Sequence, residues 1–207
     1  KSIKRIRIGV SLTIGTYYIS DIVAALQEKF SELNVKVIVN TPSKLESMLL
    51  SNELDIGVVE GFVHDKHIYQ EKLLTDELQI ICSKMNPLAQ KARITIDDLT
   101  KEPFLLREKG SGTREIIDST FLVHNISISP AWESTLTPAI IQGVSRNLGI
   151  AIVPKQFLAV HKDADKIAEI HVEDLLFKRD FYIIYHKEKS LSAVSEEFIE
   201  LCKDIIR

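Results

Sequence analysis

Between Arg5 and Gly61 the hydrophobic period switches four times between two and about 3.6, and that alternation restricts the possible folds more than any other feature. Arg5–Ser11 alternates apolar and polar residues as a strand does, and a polar loop, Ser11–Thr16, follows. Ile19, Ile22, Val23, Leu26, Phe30 and Leu33 then recur at spacings of three and four, one face of a helix. Val35–Asn40 is the next strand. Ser43-x-x-Glu46 reads as a capping box opening a helix with Leu45, Met48 and Leu49 inward. Asp55–Glu60 is a short buried strand that stops at Gly61. Strand–helix–strand–helix–strand with such short connections calls for a parallel sheet with right-handed crossovers.

The rest of the chain continues in the same style. Strands are expected at Ile68–Leu74 and Glu77–Ser83, before a turn at Lys84–Leu88 where the chain crosses into a second lobe. Thr95-x-x-Asp98 caps a short helix, Phe104–Arg107 is a strand, and a helix runs from Thr113 to about His124. Ile126–Trp132 is the next strand. Thr137 is read as an N-cap with Pro138 at the first helical position, and Gly149 as the stop of a helix ending at Asn147. A buried strand at Ile150–Pro154 and a helical turn at Lys155–His161 follow. Strands are then expected at Ile167–Val172 and Phe181–His186, and Ser192–Ile206 is an amphipathic helix. The expected architecture is an α/β fold of two Rossmann-like lobes joined by two crossover strands. Lobe I takes residues 1–83 plus 187–207, and lobe II takes 84–186.

A weak internal repeat points to function. Strand Ile6–Val10, loop Ser11–Thr16 and their helix resemble strand Phe104–Leu106, the turn Gly110-Ser111-Gly112-Thr113 and its helix. A helix start leaves amide N–H groups without internal acceptors, and its dipole favours an anion. Glycine lets a ligand approach the backbone, and Ser111 and Thr113 add hydroxyls. The turn alone also fits an ordinary strand–helix junction capped by Ser111 or Thr113; the second copy tips the reading toward a ligand. In open α/β sheets ligands sit at the carboxyl ends of strands. Two such edges facing each other, joined by two crossings, would make a hinged cleft.

Composition narrows the classes. With 45% hydrophobic residues and mean hydropathy near zero, the chain reads as an ordinary soluble globular protein. Net charge is −3 and no basic cluster exceeds Lys1–Arg7, so a duplex-binding stripe is missing. Cys82 and Cys202 stand singly in apolar segments, as buried reduced thiols of a cytosolic protein do. No run of 18 apolar residues and no signal peptide is seen. Opening directly at a strand fits a mature secreted protein or, preferentially, an excised domain. No nucleophile elbow, nucleotide P-loop or dinucleotide motif is present. His64-Asp65-Lys66-His67 has no obvious third metal ligand and reads as a solvated loop. The carboxylate pairs Asp97-Asp98 and Glu196-Glu197 fall at helix starts, where the dipole accounts for them. Neither a catalytic centre, a metal site nor a cofactor site is expected.

Taken in order, these segments resemble the effector-binding domain of LysR-type transcriptional regulators. The matching stretches are Arg5–Ser11 with Thr13, Ile14 and Gly15, then Glu53–Gly61, Asn86–Ala89, Pro103–Arg114, and Gly143 with Gly149–Pro154. The stretch Leu106–Arg114 is similar to regulators of sulfur-assimilation and carbon-fixation operons. The resemblance implies a type 2 periplasmic-binding-protein-like fold with an effector between the lobes. It also implies a cytoplasmic homodimer or tetramer, in which lobe one of one chain meets lobe two of another. DNA would be bound only through a winged helix-turn-helix domain missing from this chain, and no membrane is involved.

Ser11, Thr13 and Ile14 match the family's effector-contacting loop, and Gly110, Ser111, Gly112 and Thr113 match its second-lobe counterpart. Thr135 matches a position that often offers a hydroxyl, although a turn cap explains it equally. Ile152 and Pro154 would floor the cleft. Arg107 would supply charge; Arg114 would do so or be solvated, and against the helix dipole it needs an anionic partner. The expected ligand is a small anionic metabolite: a carboxylate, sulfate or phosphate ester. The alternatives are an extracytoplasmic solute-binding protein of a transporter and, further off, a dehydratase-like enzyme on the same fold. Tyr17, Tyr18 and Val23 exceed what one narrow core stripe needs, which motivates the dimer.

Overall fold

The computed structural model describes residues 4–207; Lys1, Ser2 and Ile3, the start of the basic opening stretch, lie outside them. The chain divides into two compact units. Unit 1 runs to Thr75 and resumes at Asp180–Arg207, and unit 2 is Asp76–Arg179.

Unit 1 begins with strand β1 (Arg5–Val10), helices α1 (Leu12–Tyr17) and α2 (Ile19–Lys29), strand β2 (Asn34–Val39), helix α3 (Pro42–Leu50) and strand β3 (Ile56–Glu60). β1 pairs in parallel with β2 on one side and β3 on the other, as the alternating periods require. Antiparallel β9 (Lys178–His186) adds beyond β3, and helix α8 (Ala193–Ile205) packs on α2. Ile6, Ile8 and Val10 of β1 meet Ile22 and Leu26 of α2 and Phe198 and Cys202 of α8 in one core. The loop expected at Ser11–Thr16 is instead mostly helix, and its inward residues are Thr13 and Ile14. Tyr18 and Val23 pack against this same core and Tyr17 is half-buried, so the apolar surplus that motivated a dimer is absorbed within the unit.

One helix start differs from expectation because a side chain found a distant partner. Helix α3 starts one residue before Ser43, at Pro42, with Thr41 before it and no side-chain cap. Glu46 is buried and accepts the amides of His64 and Asp65 at 2.9 and 2.8 Å, fastening the loop after β3.

Unit 2 is built on the second half of β4 (Ile68–Ser83), one unbroken strand where two were expected. It pairs antiparallel with β7 (Ala151–Pro154) and β8 (Ile167–Ile170). Helix α4 (Ile96–Thr100) begins on the expected Thr95–Asp98 capping box. Strand β5 (Leu105–Arg107) leads to α5 (Gly112–Val123) and pairs in parallel with β6 (Trp132–Ser134), a shorter strand than the expected Ile126–Trp132. Helix α6 (Thr137–Ser145) takes Leu136, not Thr137, as its N-cap, and α7 (Lys155–Ala159) follows β7. Phe104, Phe121 and Phe177 pack edge-on at the centre of this core.

The units divide at 75/76 and 179/180 rather than at 83/84 and 186/187, because β4 and β9 run unbroken through the division and only their ends looked like boundaries. Arg179 is fully buried and donates to Asp76 at 2.7 and 3.1 Å, closing unit 2 at the division. Thr75, Lys72 and Tyr182 bind Asp180 in the same way for unit 1.

Two outcomes test this packing. A Cβ on Gly149 would stand 2.5 Å from the Pro103 carbonyl oxygen, where β5 and β7 are bridged. Gly149→Ala is therefore expected to cost about 1–3 kcal/mol in urea unfolding, as overpacking does. Asp55 receives Arg7 at 2.9 Å and Lys189 at 2.6 Å. Burial pushes its carboxyl up, but these hydrogen bonds outweigh burial and hold it well below the usual carboxylate range. The stabilisation is whole above about pH 4 and drains away as pH falls further. The stability gap between wild type and Asp55→Asn should shrink along that acid limb.

Candidate functional site

In unit 1 the parallel pairing of β1 with β3, with Val10 opposite Val58, brings Ser11, just after β1, beside Glu60, the last residue of β3. Ser11 precedes α1 but does not cap it with its hydroxyl. The Ser11 hydroxyl donates to Glu60 Oε2 and accepts the Glu60 amide at 2.9 Å. The Thr13 amide donates to Glu60 Oε1 at 2.7 Å. Ser11 and Glu60 are 3% exposed and Thr13 1%, with Ile14 completely enclosed. Helix α1 therefore starts on an internal carboxylate. Two of the donors that the sequence offered to an anion, the Ser11 hydroxyl and the Thr13 amide, are thus taken by Glu60. A second unit charge 4 Å away would be opposed by about 4 kcal/mol at an effective dielectric near 20.

The corner in unit 2 solves the same problem differently. Ser111 is the N-cap of α5, its hydroxyl accepting the Arg114 amide at 3.0 Å. Among the described residues no carboxylate reaches back to the amides of Gly112 and Thr113, which as first-turn groups lack intrahelical acceptors. Gly110 is exposed at φ +94° with open space where a Cβ would stand, so the turn's tip is clear. Beneath it lie two arginines. Arg107 is 8% exposed and is gripped by Glu108 at 2.8 and 2.9 Å, with one more contact to the buried Thr137 hydroxyl at 3.5 Å. Arg114 is 3% exposed; it donates to Asp118 at 3.0 Å and to the Arg107 carbonyl at 2.9 Å, with Glu133 3.8 Å away. The anionic partner that its place in the first turn demanded is Asp118, one turn along, so Arg114 is not a solvated surface residue.

Within unit 2 the structure brings Arg107, Ser111, Gly112 and Thr113 onto one turn. Thr135 is exposed in the link between β6 and α6, while Ile152 and Pro154 are buried in β7, opposite Ile80 and Leu78 of β4. Two residues were missed. Thr137 looked like a cap, and its bond to Arg107 depends on a contact thirty residues away in sequence. Glu60 had a visible signal: a lone charge closing a fully buried strand has to find partners. Among the described residues no three His, Cys, Asp or Glu side chains stand as a metal cluster. His67 and Asp65 simply bind each other at 3.0 Å in an exposed loop. Cys82 and Cys202 are buried free thiols, and burial, helped by Glu102, pushes Cys82 up to about 11. No helix is long and apolar enough to cross a membrane among the described residues.

The family model of the LysR substrate binding domain matches residues 2–207. An uncharacterized HTH-type transcriptional regulator of Escherichia coli, YeiE, is 32% identical over 197 residues, covering 95% of this chain and 67% of its own length. The RuBisCO operon transcriptional regulator of Allochromatium vinosum is 26% identical over 195 residues, covering 94% and 64%. This chain thus spans about two thirds of the length of the curated relatives it matches. Among solved structures, the regulatory domain of Synechocystis CcmR in complex with 2-PG superposes with a TM-score of 0.86 at 24% identity, covering 98% of this chain and 97% of that one. That likeness is one of fold: type 2 periplasmic-binding-protein-like, as expected from the sequence.

Ser111→Ala removes the only side-chain cap of α5. It is expected to cost about 1 kcal/mol in chemical unfolding.

Proposed function

The chain belongs to the LysR substrate-binding domain family, and from that premise we propose that it is the ligand-sensing part of a LysR-type transcriptional regulator. It takes a small anionic metabolite and has no catalytic role of its own. The residues proposed for ligand contact are Ser11, Thr13 and Ile14 in unit 1 and, taken separately, the Gly110–Thr113 turn with Arg107, Thr135, Ile152 and Pro154 in unit 2. The observation that carries the reading is the open glycine turn at the start of α5, whose first-turn amides no internal carboxylate claims. CcmR, a structural neighbour, was solved with a small molecule, 2-PG, and this supports the same use here. The family match favours a regulator over a transporter's solute-binding protein.

DNA binding would belong to a separate winged helix-turn-helix domain, consistent with relatives about half as long again as this chain and with its net charge of −3. The regulator would act in the cytoplasm as a homodimer or tetramer. Ligand and DNA are coupled only if the ligand prefers one arrangement of the protein over another.

Thermal unfolding and calorimetry against sulfate, phosphate, 2-PG and shikimate test the reading. A true ligand at 100 times its dissociation constant should stabilise the chain by about 2.7 kcal/mol. Ser111→Ala, at the turn itself, should weaken it severalfold; unchanged affinity would move the site elsewhere.

A further inference from the structure

We infer that Glu60 sets what the Ser11–Thr13 corner accepts: a hydrogen-bond donor, such as a hydroxyl, an ammonium or the protonated oxygen of an oxyanion, and not a bare negative charge. The inference rests on the effector-binding reading and deepens it by naming the ligand class, one that presents a hydrogen-bond donor.

The Ser11 hydroxyl proton and the Thr13 amide proton are already committed. The Ser11 hydroxyl gives its proton to Glu60 Oε2, and the Thr13 amide gives its proton to Oε1 at 2.7 Å. The Ser11 oxygen is further used as acceptor of the Glu60 amide at 2.9 Å. The surplus capacity of the corner is therefore on the acceptor side, since each oxygen of an ionised carboxylate has two lone pairs and receives one of these bonds. The carboxylate is held on a fully buried strand end, too enclosed to swing aside and be replaced by another anion. Unit 2 has the opposite balance: its turn ends in helix amides and the Ser111 cap, with no carboxylate on them.

Phosphate and sulfate share size and shape, but at neutral pH only phosphate keeps a proton. Calorimetry on the wild-type chain and on Glu60→Gln, with each anion at pH 7, reads the preference directly. Wild type should bind phosphate at least tenfold more tightly than sulfate. Glu60→Gln, whose amide brings an N–H where the carboxylate can only accept, should lose at least tenfold of that selectivity with its melting temperature near wild type. The wild-type ratio is read whether or not the variant folds, and equal affinity for the two anions overturns the inference. So does a ratio that Glu60→Gln leaves unaltered. If 2-PG or shikimate binds and neither inorganic anion does, the inference falls and the effector-binding reading stands; if nothing binds, both fall.

Discussion

Glu60 closes strand β3 and receives the amide of Thr13 and the hydroxyl of Ser11, so the first helix of unit 1 rests on a carboxylate supplied from 47 to 49 residues away in sequence. Every helix start carries amides that need acceptors, and where the acceptor comes from decides what else the start can do. Helix α4 draws on Thr95 and Asp98 in a closed local box, and α8 on Ser192. Those two are self-contained. Helix α5 draws only on Ser111, and α1 on a residue of another strand. The β1–β3 register, which sets Ser11 beside Glu60, is thereby tied to the chemistry of the corner: a slip of one residue would turn Glu60 to the opposite face of the sheet.

Buried charge follows a consistent rule here. Arg179 meets Asp76, Arg114 meets Asp118, and Arg107 meets Glu108, each within 3.0 Å. A buried cation left alone would be costly, and removing one member of such a pair is far worse than replacing both. Asp76 and Arg179 are the first and last residues of unit 2, one at each crossing, and they are paired. Their pairing keeps unit 2 closed up to its boundary.

The parallel core of unit 1 was legible because it is written in short-range periodicity: Ile6, Ile8 and Val10 alternate, and Ile22 and Leu26 are spaced by four. The capping box at Thr95 was legible for the same reason. What the sequence concealed were pairings over long separations. Ser43 and Glu46 have the spacing of a capping box, yet Glu46 is claimed by the loop at His64 and Asp65. Thr75 and Asp76 looked like a break between strands, yet Asp180 and Arg179 hold the strand straight through them. Asn147, at φ 59°, takes the left-handed position after α6 that had been given to Gly149, while Gly149 is needed for its closeness to Pro103. At the site, the repeated βα corner was visible as backbone. The difference between its two copies lies in one residue on a neighbouring strand, which comparing the two loops alone could not show.

That difference bears on how strongly unit 2 can hold an anion. Arg107 and Arg114 look like two positive charges under the Gly110–Thr113 turn, but Glu108 and Asp118 neutralise them side by side. What remains for a ligand is the helix end, equivalent to about half a positive charge, and a few neutral donors worth roughly 0.5–1.5 kcal/mol each.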